Sequence, residues 1–115
     1  MNLTGQPIYQ KGVKVASKRV RAAANGQRCT LRLACCNHDP STVVLAHLRM
    51  FGWAGTAEKP NDYLAVFACS TCHDALDGRG STINQGLWGF HDVLRALGET
   101  LTIQFNAGTF KEGKP

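Results

Sequence analysis

The stretch Cys69-Ser70-Thr71-Cys72-His73-Asp74-Ala75-Leu76-Asp77 decides the fold. Two cysteines at this spacing can grip one zinc ion through a tight turn, with Zn–S bonds of ~2.3 Å. Ser70 to Leu76 reads as a short helix, stopped by Gly78 and Gly80. On such a helix positions i and i+4 share a face, so His73 and Asp77 can hold a second metal ion between them.

Tetrahedral zinc needs two further ligands. Upstream, Cys29 can supply one, and Cys36 or Cys35 the other. Cys36 is preferred because it opens the turn Cys36-Asn37-His38-Asp39-Pro40, with His38 a weaker substitute. The site would tie the upstream segment to the short helix. The competing readings of the Cys69/Cys72 pair are a redox couple or buried thiols, but no thioredoxin-like βαβ pattern surrounds it. Five cysteines are an odd number for a disulfide framework. Met1-Asn2-Leu3-Thr4-Gly5 lacks the apolar run of an export signal, which points to reduced thiols in a cytoplasmic setting. No apolar run approaches the ~18 residues of a membrane helix.

Further out, the chain reads as an α+β domain of 115 residues. Residues 1–16 form an irregular arm, residues 17–107 the domain, and residues 108–115 a flexible tail. Ser17 caps a basic helix through Ala24, ended by Asn25-Gly26. Arg28 to Leu33 alternates as a strand, Thr42 to Leu48 is a β-branched run carrying His47, and Phe51 to Asp62 is a long loop. Tyr63 to Ala68 is a second strand. Leu87, Phe90, Leu94 and Leu97 have the spacing of an amphipathic helix, ended by Gly98, and Leu101 to Phe105 alternates as a last strand. The order is thus strand with His47, loop, strand, and helix with His73 and Asp77, the layout of a ββα-metal nuclease site. A neutral His47 there can serve as general base on a water beside the metal.

The segments Leu45-Ala46-His47-Leu48-Arg49, Lys59-Pro60-Asn61-Asp62 and Ala68 to Asp77, with Arg28-Cys29-Thr30 and Cys36-Asn37, resemble the YbcO-like family of candidate nucleases of lambdoid prophages. The likeness spans about Lys18 to Gly80. It implies a small zinc-stabilised HNH-like ββα-metal domain, with an N-terminal basic helix and a C-terminal helix and strand. Beside the structural zinc on Cys29, Cys36, Cys69 and Cys72 it implies a separate divalent ion. By position, His47 matches the general base of HNH nucleases, and His73 and Asp77 match their helical metal ligands. Asp62 falls near the asparagine that orients the base. Ala46 stands where such enzymes commonly carry an Asp or His ligand, and Asp77 where they carry His or Asn. Water or phosphate must then complete the coordination, which suits Mg²⁺ or Mn²⁺.

The net charge of +5 and pI near 9.2 suit a DNA partner. Lys18, Arg19 and Arg21 on the basic helix, with Arg49 and Arg79, would contact phosphates without reading sequence. The expected activity is phosphodiester hydrolysis in phage or prophage DNA recombination or processing, inside the bacterial host cell. A homodimer and phage or host recombination proteins are further partners such a role admits. Two rival readings remain at this level. One is a non-catalytic zinc module that binds DNA or assists a recombinase, favoured by Ala46. The other is a phage–host protein adaptor that uses Phe51 and Trp53 in the long loop.

Overall fold

The computed structural model describes residues 17–49, 60–78 and 88–110. The N-terminal arm, the loop with Phe51 and Trp53, Arg79, Gly80, Leu87 and residues 111–115 lie outside the described residues. The elements in chain order are helix α1 (Lys18–Ala22), a 3-10 turn (Pro40–Thr42), strand β1 (Val44–His47), strand β2 (Ala65–Ala68), helix α2 (Ser70–Leu76) and helix α3 (Phe90–Asn106). The class is α+β.

β1 and β2 pair antiparallel, with Val44 opposite Ala68, Leu45 opposite Phe67, Ala46 opposite Val66 and His47 opposite Ala65. Two strands alone are marginally stable in water. Here β2 is buried along its whole length, and α2 and α3 both pack against it while α1 packs on β1. Phe67, Val66, Leu31 and Leu48 form the centre of the core together with Cys69 and Cys72.

The segment expected as a strand over Arg28–Leu33 is irregular instead. It still covers the free edge of β2: Thr30 donates its backbone N–H to the Phe67 carbonyl at 2.7 Å and its hydroxyl to the same oxygen at 2.9 Å. The outward turn to the sulfur cluster begins at Arg32, whose φ of 46° breaks any extended run. The Phe67 N–H is taken by Thr100 Oγ1 at 3.1 Å, and the two threonine hydroxyls lie 3.0 Å apart. One buried hydroxyl pair therefore replaces the ladder a third strand would have supplied. Removing it should be costly: Thr100→Val keeps the shape but leaves the Phe67 N–H without its acceptor, a loss of about 1–3 kcal/mol. The urea midpoint of the zinc-loaded protein is expected to fall accordingly, and an unchanged midpoint would contradict this assignment.

The C-terminal region also departs from expectation. Gly98 does not end the helix, and Leu101–Phe105 is not a strand but the last turns of α3. The buried positions Val93, Ala96, Thr100 and Gln104 keep helical spacing straight through Gly98. The glycine costs only ~1 kcal/mol there, and Thr102 Oγ1 donates back to the Gly98 carbonyl at 2.8 Å. The alternation of Leu101, Ile103 and Phe105 is a coincidence of composition, and tertiary burial overrides it. At the N-terminus Gly89 N–H donates to Asp92 Oδ2 at 2.9 Å. At the other end Gly108, φ 73°, turns the chain back so that Thr109 is buried. The packed chain thus continues through Phe110, whose ring meets Phe105 at 5.1 Å.

Candidate metal centre and histidine–carboxylate pairs

Cys69 follows directly on β2 and is the N-cap of α2, and Cys72 lies in the first turn of that helix. Cys29 and Cys36 approach from the other side on two tight turns. The turns contain Arg32 and His38, the two non-glycine residues of positive φ among the described residues. Such turns aim backbone N–H groups at sulfur: the Arg32 N–H reaches Cys29 Sγ at 3.4 Å, and the N–H groups of His38, Asn37 and Leu33 face Cys36, Cys69 and Cys72. Asn37 fastens the second turn to α2 through Ser70 Oγ at 2.9 Å, while Thr42 Oγ1 accepts the Ser70 N–H at 3.2 Å.

The four Sγ atoms of Cys29, Cys36, Cys69 and Cys72 lie within 4.8 Å of one another, all buried, with Cys36 and Cys69 at 3.7 Å. Four thiolates on one tetrahedral zinc at ~2.3 Å would sit about 3.8 Å apart. The donor set and its spacing fit zinc. Cys35 stands outside the group, half-buried, with its Sγ toward the Thr71 carbonyl at 3.6 Å.

The thiols share protons. Cys29 is lowered to about 4 because the Cys72 thiol donates to it, against the opposing effect of burial. Cys72 is correspondingly pushed up by that hydrogen bond to Cys29 and by burial. Burial also raises Cys36, to about 11. Burial acts against Cys69 as well, but donors from Thr71, Asn37 and Cys72 bring it down overall. At neutral pH, Cys36 and Cys72 therefore hold protons that a metal must displace. Zinc loading is expected to release protons, those of Cys36 and Cys72 at least, and zinc affinity to rise with pH through neutrality. Calorimetry in two buffers of unequal ionisation enthalpy checks this. Equal heats in both buffers would refute it.

His47 closes β1, and the turn that leads into β2 brings Asp62 against it. Leu48 N–H donates to the Leu64 carbonyl at 3.0 Å and Leu64 N–H to the Asn61 carbonyl at 2.9 Å, so the turn is fixed. His47 Nε2 lies 2.8 Å from Asp62 Oδ1, with both residues buried. Facing an ionised carboxylate, which only accepts, a neutral imidazole would carry its proton on Nε2 and leave its lone pair on Nδ1. The other Asp62 oxygen accepts the Ser17 backbone N–H at 2.6 Å and pairs with Arg21 Nε at 3.6 Å. Ser17 is the N-cap of α1, its Oγ accepting the Val20 N–H at 3.4 Å. On α2, His73 Nε2 and Asp77 Oδ2 are 3.2 Å apart and both partly exposed.

The structure therefore joins His47 with Asp62, His73 with Asp77, and the four cysteines with one another. Among the described residues, no third His, Cys, Asp or Glu completes a ligand group with His73 and Asp77. Lys18 and Arg49 are exposed. Arg19 is tied to the α3 terminus by its Nε and the Thr109 carbonyl at 2.9 Å, and Arg21 is drawn to Asp62. Arg79 lies outside the described residues. The link from Asp62 to α1 has no local signal in the sequence. Ser17 was visible as a cap, but its N–H reaches a partner 45 residues away, which spacing cannot reveal.

Residues 18–108 match the family model described as "Putative nuclease YbcO". Two relatives, "Putative nuclease YbcO" of Escherichia coli K12 and its namesake from Enterobacteria phage 82, are each 39% identical over 93 residues, covering 80% of this chain and 96% of theirs. A solved structure, "Structure of a putative bacteriophage protein from Escherichia coli str. K-12 substr. MG1655", superposes with a TM-score of 0.57 at 30% identity, covering 78% of this chain and all of that one. On the match of residues 18–108 and on relatives 39% identical over most of its length, the chain belongs to the YbcO nuclease family.

Proposed function

We propose that the chain is a metal-dependent DNA endonuclease with an HNH-like ββα-metal site, working in phage or prophage DNA recombination or processing in the bacterial cytoplasm. The observation that carries this is the buried 2.8 Å pair of His47 and Asp62, on the strand pair that leads directly into the helix bearing His73 and Asp77. The family's nuclease description and the basic charge of the chain support it.

In this reading His47 Nδ1 takes a proton from water as the oxygen attacks a backbone phosphorus, and Asp62 stabilises the imidazolium that results. Ser17 and Arg21 hold the Asp62 carboxylate in place. His73 and Asp77 would hold Mg²⁺ or Mn²⁺. Their donor atoms, 3.2 Å apart, suit neighbouring positions of an octahedral ion, which at ~2.1 Å bonds lie about 3.0 Å apart. Such an ion, when bound, stabilises charge on the phosphate and the leaving 3′ oxygen. Zinc on Cys29, Cys36, Cys69 and Cys72 would brace the junction of β2 and α2. Lys18 and Arg49 are free to meet phosphates.

Ala46, fully buried, favours a second reading as a non-catalytic zinc module that binds DNA. Supercoiled plasmid incubated with the zinc-loaded protein in Mg²⁺, Mn²⁺ or EDTA separates the two. Nicking with a divalent ion that EDTA and His73→Ala both suppress supports the enzyme. Retarded but uncut DNA supports the module.

A further inference from the structure

α3 carries two apolar faces. One, Val93, Ala96 and Thr100, is buried against β2. The other is a stripe of Phe90, Leu94, Leu97, Leu101 and Phe105, which at 100° per residue falls within one narrow sector of the helix. Phe90 and Leu94 are each 71% exposed and Phe105 65%. Trp88 extends the stripe at one end, edge-on to Phe90 at 5.9 Å, and Phe110 at the other, against Phe105 at 5.1 Å. A patch of this size on a chain of 115 residues marks an interaction site.

The order of the residues states what fits it. Phe90-x3-Leu94-x2-Leu97-Gly98-x2-Leu101-x3-Phe105 reads the same from either end about the Leu97–Gly98 bond. A two-fold axis through that point sets Phe90 against Phe105 of a second copy, Leu94 against Leu101, and Leu97 over Gly98. Gly98 has open space where a side chain would stand, so it can receive the leucine. Two-fold interfaces require this self-complementarity. The antiparallel arrangement also opposes the two helix dipoles, and the stripe itself carries no charge to repel its copy, although each chain bears +5. The aromatic and leucine side chains together offer on the order of 400 Å² per copy, so a symmetric pair buries about 800 Å² from them. The exposed parts of Trp88 and Phe110 at the two ends of the stripe bring the total toward the ~1,000 Å² of a stable interface.

We propose that the chain is a homodimer joined by antiparallel packing of α3 against α3 of a second copy. The inference is independent of the nuclease reading.

Sedimentation equilibrium of the zinc-loaded full chain tests it. The expected mass is twice the 12.5 kDa of one chain. Leu94→Lys and, separately, Phe105→Lys at the far end should each give monomer, with zinc content and circular dichroism unchanged. The double variant Leu94→Glu/Leu101→Lys sets opposite charges across the axis and should recover dimer, whereas Leu94→Glu/Leu101→Glu should not. A wild-type monomer overturns the proposal and leaves the face to a different occupant. A dimer that survives both single lysines places the interface elsewhere, and a failure of the opposite-charge pair to outperform the like-charge pair rules out the antiparallel register.

Discussion

His47→Gln is expected to lower the rate of DNA cleavage by ~10²–10⁴-fold, the usual contribution of a positioned general base. Glutamine keeps an N–H for Asp62 Oδ1, so the buried carboxylate is not left short of a donor. It has no lone pair that can take a proton at neutral pH. His47→Ala should lose the same activity but also destabilise the fold, by about 1–3 kcal/mol, because a buried acceptor loses its partner. Comparing the two separates chemistry from folding. Single-turnover cleavage, measured with enzyme in excess, reads the chemical step directly. A His47→Gln protein that cuts at the wild-type rate would remove His47 from the mechanism.

Cys72→Ser is expected to abolish both stoichiometric zinc and the native fold. Cys72 is fully buried, touches Cys29, and lies in the first turn of the helix that carries His73. Structural zinc sites contribute on the order of 10–16 kcal/mol of apparent binding energy in small domains. That matches or exceeds the whole net stability of ~5–15 kcal/mol typical of a folded protein. A described core of few large side chains cannot compensate. Metal analysis by atomic absorption and the far-ultraviolet circular dichroism of Cys72→Ser check this, with Cys35→Ser as the control that should retain zinc and fold. A Cys72→Ser protein that stays folded without metal would refute the structural role.

The parts of the fold legible in the sequence were those fixed by local chemistry. The Ser17 cap, the helix from Ser70 to Leu76 and the turn at Gly78, φ 71°, are all set by residues within a few positions of one another. The clustering of Cys29 and Cys36 with Cys69 and Cys72 was also accessible, because the Cys69/Cys72 pair needs two more thiolates and Cys36 opens a turn, although the sequence left Cys35 as its rival. Long-range burial was not. Leu101–Phe105 alternates like a strand, and only the packing of Thr100 and Gln104 against the core keeps it helical. Arg28–Leu33 looks like a strand and behaves as one for a single residue, Thr30, before Arg32 turns toward the sulfurs. Arg19 and Arg21 read as phosphate contacts; in the fold Arg19 Nε donates to the Thr109 carbonyl, 90 positions along the chain, and Arg21 Nε is shared between the nearby Ser17 carbonyl and the distant Asp62.

In the proposed mechanism an imidazole, oriented by a buried carboxylate, activates water beside a divalent ion that His73 and Asp77 would hold. Supercoiled plasmid assayed with wild-type and His47→Gln proteins, both first shown to carry one zinc per chain, addresses it most directly. Wild type is expected to convert plasmid to nicked circles in Mg²⁺ or Mn²⁺ while His47→Gln leaves it supercoiled. Intact plasmid with the wild-type protein under every divalent ion, or equal nicking by both proteins, would contradict the mechanism.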